Sequence, residues 1–270
     1  MTNQTTMLAN IKVSTQTPRV IGNVQDIESA EKVKEQGADF IEIRCDLAQP
    51  SSTEHVEALV EGIRNAVDLP IIATIRKTVD GGDWYKFKKN DRDRMPIFES
   101  IVDTVNGVDI ELNADIQEDV TKLFKSKNKF VILSHHDFSK TPSVEEMLKL
   151  IEKMHDQDCD AIKTSFMTCG EEDYMAAVVA LSAYVSDESN TKPISLITMG
   201  HHGRPGRFML PLFGSCFTYG CAKNAKAPSQ PRVEELVDYL KKAKAKKVEI
   251  PICLNTPSGN NALSQLLVTS

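Results

Sequence analysis

The chain has 270 residues, of which 41% are hydrophobic, and carries a formal net charge of -6, with a sequence pI of about 5.6. That balance excludes the broad cationic field needed to bind a nucleic-acid backbone, and the longest apolar run, about residues 175–185, is too short to span a bilayer. The length suits one large core, and α/β barrels of this size form single domains.

The first ten residues are polar and lack the basic-then-apolar order of a secretion signal. From there, short β-branched runs alternate with longer amphipathic stretches, the pattern of a parallel sheet covered by helices. Strands are predicted over residues 19–22, 40–45, 71–75, 108–112, 130–133, 161–164, 194–198 and 216–218. Helical spacing is clearest over 54–66, 93–106, 143–155, 171–184 and 233–244. The Ser143 hydroxyl with Glu146 three places on forms a capping-box signature. About eight β-then-α units favour a closed (β/α)8 TIM barrel, one domain over residues 1–270. The stretch 248–270 is read as a C-terminal extension, strand-like at its start, with a turn at Pro257-Ser258-Gly259 and an apolar end that packs on the barrel or on a partner.

The six cysteines (Cys45, Cys159, Cys169, Cys216, Cys221, Cys253) form no C-x-x-C pair, so neither structural zinc nor a disulfide framework is expected, and reduced thiols point to a cytoplasmic protein. The basic run 241–247 reads as the last turn of a helix, complementing its dipole, against the alternative of a phosphate site.

In a TIM barrel the loops after the strands share one face, so chemistry belongs at the strand ends. Those ends carry Glu42 and Arg44, Arg76, Glu111, His136, Lys163, the loop from Met199 to Arg207, and Lys226 to Gln230. Lys163 follows a segment that should be buried, where an ammonium is costly and a neutral amine is a nucleophile for carbonyl carbon; the plain alternative is a strand-end lysine that reaches solvent or pairs with Glu42 or Glu111. His136 ends the preceding strand, so an imidazole able to take and return one proton would flank the same pocket. Its neighbour His135 reads as a capping or solvated side chain, and the adjacent pair is not read as metal ligands, since neighbours on a strand face opposite ways. The same alternation puts Glu42 and Arg44 on one face, as catalytic groups or as an architectural ion pair. His201 and His202 read as lid residues and not as metal ligands, because no third ligand is placed near them.

The segments Glu42-Ile43-Arg44-Cys45-Asp46, Thr74-Ile75-Arg76, Gly81-Gly82, Asp109-Ile110-Glu111-Leu112, Ser134-His135-His136-Asp137-Phe138-Ser139-Lys140-Thr141-Pro142 and Phe213-Gly214-Ser215 together resemble type I 3-dehydroquinate dehydratase, from about Arg19 to Leu240. The resemblance implies a hydro-lyase of the shikimate route that needs no metal or organic cofactor, in which Lys163 forms an imine with the ketone of 3-dehydroquinate and His136 is the acid/base. It further implies Glu42, Arg44 and Arg76 around the ring hydroxyls, Arg207, Lys226 and Gln230 in substrate binding, Asp80 and Glu111 in support (Glu111 as a carboxylate near the lysine), and a homodimer. Three departures fall on the pocket. Asp80 stands where the family commonly has a glutamate that orients the histidine; Lys226 and the 199–207 loop differ from the usual serine and lid; Gly22-Asn23 lies where serine is frequent. An imine lysine also serves an aldolase or a dehydratase of another hydroxy-ketone, and a binding paralog without turnover would keep the barrel and lose the chemistry.

Overall fold

A computed structural model describes residues 4–48, 52–84, 90–223 and 229–245. The chain opens with an antiparallel hairpin, β1 (Thr5–Leu8) and β2 (Ile11–Ser14), turned at Ala9 and Asn10 with φ of 46° and 68°, the left-handed pair that a tight hairpin turn needs. The polar composition of the first ten residues does not predict these two strands. Eight parallel strands then form one sheet in the order β10-β3-β4-β5-β6-β7-β8-β9. These are β3 (Arg19–Val24), β4 (Phe40–Arg44), β5 (Ile71–Thr74), β6 (Gly107–Glu111), β7 (Phe130–Asp137), β8 (Ala161–Met167), β9 (Ile194–Met199) and β10 (Phe217–Cys221).

The two end strands meet at a seam stitched partly by hydroxyls. Cys216 N donates to Ile194 O at 2.7 Å, Ser195 Oγ to Phe217 O at 3.0 Å, and Leu196 N to Ser215 Oγ at 3.1 Å. The eight-stranded sheet thus curls into a nearly closed (β/α)8 barrel, as the alternation of elements predicts.

Helices α1 (Ile27–Glu35), α2 (Thr53–Ala66), α3 (Met95–Ile101), α4 (Gln117–Ser126), α5 (Val144–His155), α6 (Glu171–Ser186), α7 (Arg204–Met209) and α8 (Val233–Ala245) surround it. The predicted capping box is present: Ser143 Oγ accepts from Glu146 N while Glu146 reaches back to Ser143 N. The expected helix over 93–106 is shorter. A 3-10 turn over Asp91–Arg94 leads into α3, because Arg94 is drawn inward to donate to Ile75 O at 2.6 Å.

Period-two alternation sorts the core into two clusters. Outward residues such as Ile41, Ile43, Ala73, Val108, Ile110, Val131 and Leu133 pack beneath the helices, whereas Ile21, Phe40, Ile72, Phe130, Ile132 and Phe217 fill the barrel's lower interior together with Leu8 and Val13 of the hairpin. The hairpin therefore plugs the bottom, and the buried charged side chains, such as Glu42, Arg76, Asp109 and Lys163, lie toward the top. The proposed C-terminal extension, 248–270, lies outside the described residues. Burial of Leu8 (1% exposed) in the plug gives a direct check: Leu8→Ala should cost about 2–4 kcal/mol in denaturant unfolding, and a loss below 0.5 kcal/mol would contradict the plug.

Candidate active site

Three strands set the reactive groups. Lys163 lies on β8, and its neighbour in register on β7 is Ser134, whose next neighbour on β6 is Glu111. His136, two residues beyond Ser134, pairs with Ser165. Both β7 and β8 run farther than their hydrophobic runs suggested, because polar side chains continue the strands as the pocket wall. A cleft is lined by Asn23, Glu42, Arg44, Arg76, Asp80, Gly81, His136, Phe138, Lys163, Ser165, Ile197, Met199, Arg207, Tyr219 and Gln230. A second cleft beside it shares Asn23 and Arg44 but not the lysine, so the first one holds the chemistry.

Lys163 is 4% exposed and does not reach solvent. Its Nζ donates to Asp109 Oδ2 at 2.8 Å and to Glu42 Oε2 at 3.1 Å, and it sits 4.0 Å from the Tyr219 ring centroid, a cation–π distance. The ammonium is thus held by two carboxylates, one of them Glu42. The second is Asp109, which corrects the placement of Glu111 beside the lysine. Glu111 is engaged elsewhere: Arg94 Nη1 at 2.8 Å, Lys77 N at 2.9 Å and Arg76 Nη1 at 3.7 Å. Asp109 and Glu111 share one face of β6, and that i, i+2 spacing is the signal by which Asp109 could have been found.

Asp109 is also clamped by Arg76 Nη2 at 2.8 Å and by Ser134 Oγ at 2.6 Å, while Arg76 Nη1 donates to Ser134 Oγ at 2.7 Å. Burial pushes the Asp109 carboxyl up, but Arg76 and Lys163 outweigh it and hold the group well below the usual carboxylate range. Arg44 forms a bidentate pair with Asp46, at 3.0 and 2.8 Å, and Asp46 Oδ2 accepts from Asp83 N at 3.2 Å, tying β4 to the loop after β5.

That loop carries Gly81-Gly82. Gly81 has φ of 79°, and a Cβ there would meet Phe138 at 2.3 Å, while one on Gly82 would meet Arg76 O at 2.0 Å. The glycines let the loop close over Phe138, whose ring lies parallel to His136 with centroids 6.2 Å apart.

His136 is half-buried, and its buried Nδ1 has no hydrogen-bond partner among the described residues. Asp80 is near His135 and within 3.8 Å of Lys77, and it makes no bond to His136 Nδ1, so the expected orienting contact is not formed. Burial, reinforced by the positive charges of Arg76 and Lys163, holds the His136 pKa well below its ordinary 6.5. The imidazole is therefore a neutral base at neutral pH. Burial likewise pushes Arg207 down to about 10, with Arg204 adding repulsion; its Nε is without a partner among the described residues. A buried guanidinium so placed is a seat for an anion. Gln230 is buried on the same wall. Lys226 lies outside the described residues. His201 and His202 are exposed on the loop before α7.

A nearly closed TIM barrel with a lysine and a neutral histidine at its C-terminal mouth has the layout of an imine-forming lyase. Residues 20–247 match the model of the type I 3-dehydroquinase family. The chain is 34% identical over 216 residues to a 3-dehydroquinate dehydratase of Methanosarcina acetivorans, covering 78% of this chain and 87% of that one. It is 32% identical to a catabolic 3-dehydroquinate dehydratase of Acinetobacter baylyi, covering 76% and 75%. The 3-dehydroquinate dehydratase structure from Geobacillus kaustophilus superposes with a TM-score of 0.82 at 24% identity, over 90% of this chain and 98% of that one, a likeness of fold. This chain belongs to the type I 3-dehydroquinase family.

The depressed His136 pKa sets a sign for the pH profile. A base is active when unprotonated, so activity is lost only as pH falls through that lowered value, and the acidic limb of kcat/KM should lie below pH 6.5. A limb that belongs to His136 and is centred above pH 7 would contradict the site's electrostatics.

Proposed function

We propose that this chain removes water from 3-dehydroquinate to give 3-dehydroshikimate, a step of the shikimate pathway, through an imine on Lys163 with His136 as acid and base. The observation that carries the reading is the buried Lys163 amine, held by Asp109 and Glu42 at 2.8 and 3.1 Å on the wall of a cleft that His136 also lines. Membership of the family supports the substrate.

In this reading Lys163 Nζ adds to the ketone carbon and, after loss of the ketone oxygen as water, forms a protonated imine. The iminium draws electrons from the neighbouring carbon, which lowers the cost of removing its proton. Neutral His136 takes that proton. The enamine pair expels the ring hydroxyl, the imidazolium returns its proton to the departing oxygen, and water hydrolyses the imine to release product and amine. Asp109 balances the iminium charge with an anion that is already fixed, so little reorganisation accompanies the reaction. Arg207 holds the substrate carboxylate, with Gln230 alongside. Glu42, Arg44 and Arg76 face the ring hydroxyls, although Arg76 and Arg44 already donate to Asp109 and Asp46. The enzyme acts as a cytoplasmic homodimer, which light scattering on the purified chain would test.

The direct test is the conjugated enone absorbance of the product on mixing with 3-dehydroquinate, together with borohydride trapping and peptide mapping. Wild-type protein should give both absorbance and an adduct at Lys163, whereas an adduct without absorbance would point to another hydroxy-ketone reaction. Lys163→Ala should form no adduct, while His136→Ala should still form one and lose about 10²–10⁴ in turnover. Arg207→Ala should raise KM about 10- to 100-fold with turnover largely kept, as for a lost charge-assisted hydrogen bond made in ground and transition states alike. A fall in turnover with unchanged KM would contradict that role.

A further inference from the structure

The two carboxylates on Lys163 cannot both keep their hydrogen bonds once the imine forms. An ammonium carries three N–H donors, of which one points to Asp109 at 2.8 Å and one to Glu42 at 3.1 Å. A protonated imine keeps a single N–H. One carboxylate must therefore be released, and the structure distinguishes the two.

Asp109 has its own clamps, Arg76 at 2.8 Å and Ser134 at 2.6 Å, and does not line the cleft. Glu42 lines the cleft, and among the described residues Lys163 is its hydrogen-bond partner, at the longer distance. Asp109 is also held too strongly anionic by Arg76 and Lys163 to carry a proton. Glu42 is the group that can move and exchange.

On the reading that Lys163 forms an imine, we infer that Glu42 is a catalytic residue that ferries both protons of imine formation from the lysine nitrogen to the ketone oxygen. The balance closes on this chain's own groups. Ammonium plus ketone gives protonated imine plus water with no net proton gained or lost, so both hydrogens of that water come from Nζ. Glu42 takes the first, leaving an amine whose lone pair attacks the ketone carbon; the carbonyl π pair moves to oxygen, which receives that proton back from Glu42. The carboxylate then takes a second proton from the secondary ammonium so formed and delivers it to the hydroxyl, which leaves as water as the nitrogen lone pair makes the C=N bond. The nitrogen and oxygen of the intermediate sit on one carbon, so a carboxylate within hydrogen-bond reach of the first can serve the second through its other oxygen. His136 stays neutral throughout and is free for the later carbon–hydrogen step.

Rapid-quench borohydride trapping with 3-dehydroquinate reads imine formation apart from elimination. Glu42→Gln should slow adduct appearance at saturating substrate by about 100-fold or more, and formate added to Glu42→Ala should restore part of the rate in proportion to its concentration. A purely electrostatic Glu42 gives the opposite sign, because removing a counter-charge beside the ammonium eases loss of its proton and speeds attack. His136→Ala, which leaves Glu42 in place, should still accumulate adduct, and it keeps the inference open to test even if the Glu42 variants fail to fold. Adduct at the wild-type rate in Glu42→Gln, or no adduct in His136→Ala, would overturn the inference. Absence of any adduct in the wild-type protein would instead sink the imine reading on which it rests.

Discussion

A lysine ammonium sealed inside a barrel costs several kcal/mol of lost hydration unless charges of opposite sign and hydrogen bonds replace the water. Here the replacement is specific: Asp109, Glu42 and the face of Tyr219 surround Nζ of Lys163. Most of what is unusual about the upper barrel follows from that one cation. Asp109 must be kept ionised, so Arg76 and Ser134 brace it. Arg76 must in turn be neutralised, which draws Glu111 toward it, and Glu111 is shared with Arg94. The result is an alternating lattice of buried charges in which each member has an opposite neighbour, and Arg207 stands apart from it.

That asymmetry separates two kinds of binding within one cleft. On the lysine side every charge is already balanced, so a ligand there must offer hydrogen bonds or a reactive carbonyl. On the Arg207 side a buried guanidinium, with Gln230 beside it on the wall, favours a carboxylate. A hydroxy-ketone acid presents both ends. His136 is made a weak base by burial and by nearby cations, so in the proposed reaction it gains driving force for taking a proton only when an iminium acidifies the adjacent carbon.

The fold was legible because alternation and helical spacing are local signals, and the strands predicted at 40–45 and 71–75 agree with β4 and β5 to within one residue. Where the prediction fell short, the cause is physical. β7 and β8 continue through Ser134-His135-His136 and Ser165 as hydrogen-bonded strands although their side chains turn polar, since the pocket wall and not the core receives them. The opening hairpin has too few apolar residues to register as strands, yet Leu8 and Val13 suffice to plug the lower barrel. Within the site, Lys163 and Glu42 stood out as polar residues after or within apolar runs, and His136 as an imidazole at the polar end of one. Asp109 did not, because which of two same-face carboxylates meets the lysine depends on where Arg94 sends Glu111, a contact across 17 residues that no local pattern encodes. Tyr219 lay just past the predicted end of its strand. Asp80 illustrates the reverse: the resemblance suggested a contact with His136 that its shorter side chain does not make.

The most direct test of this account is a crystal structure of the protein reduced with borohydride in the presence of 3-dehydroquinate. The account predicts a secondary amine at position 163 still bonded to the Asp109 carboxylate, with the ligand's acid group on Arg207. Attachment at any other lysine, or a ligand bound without a covalent link, would contradict it.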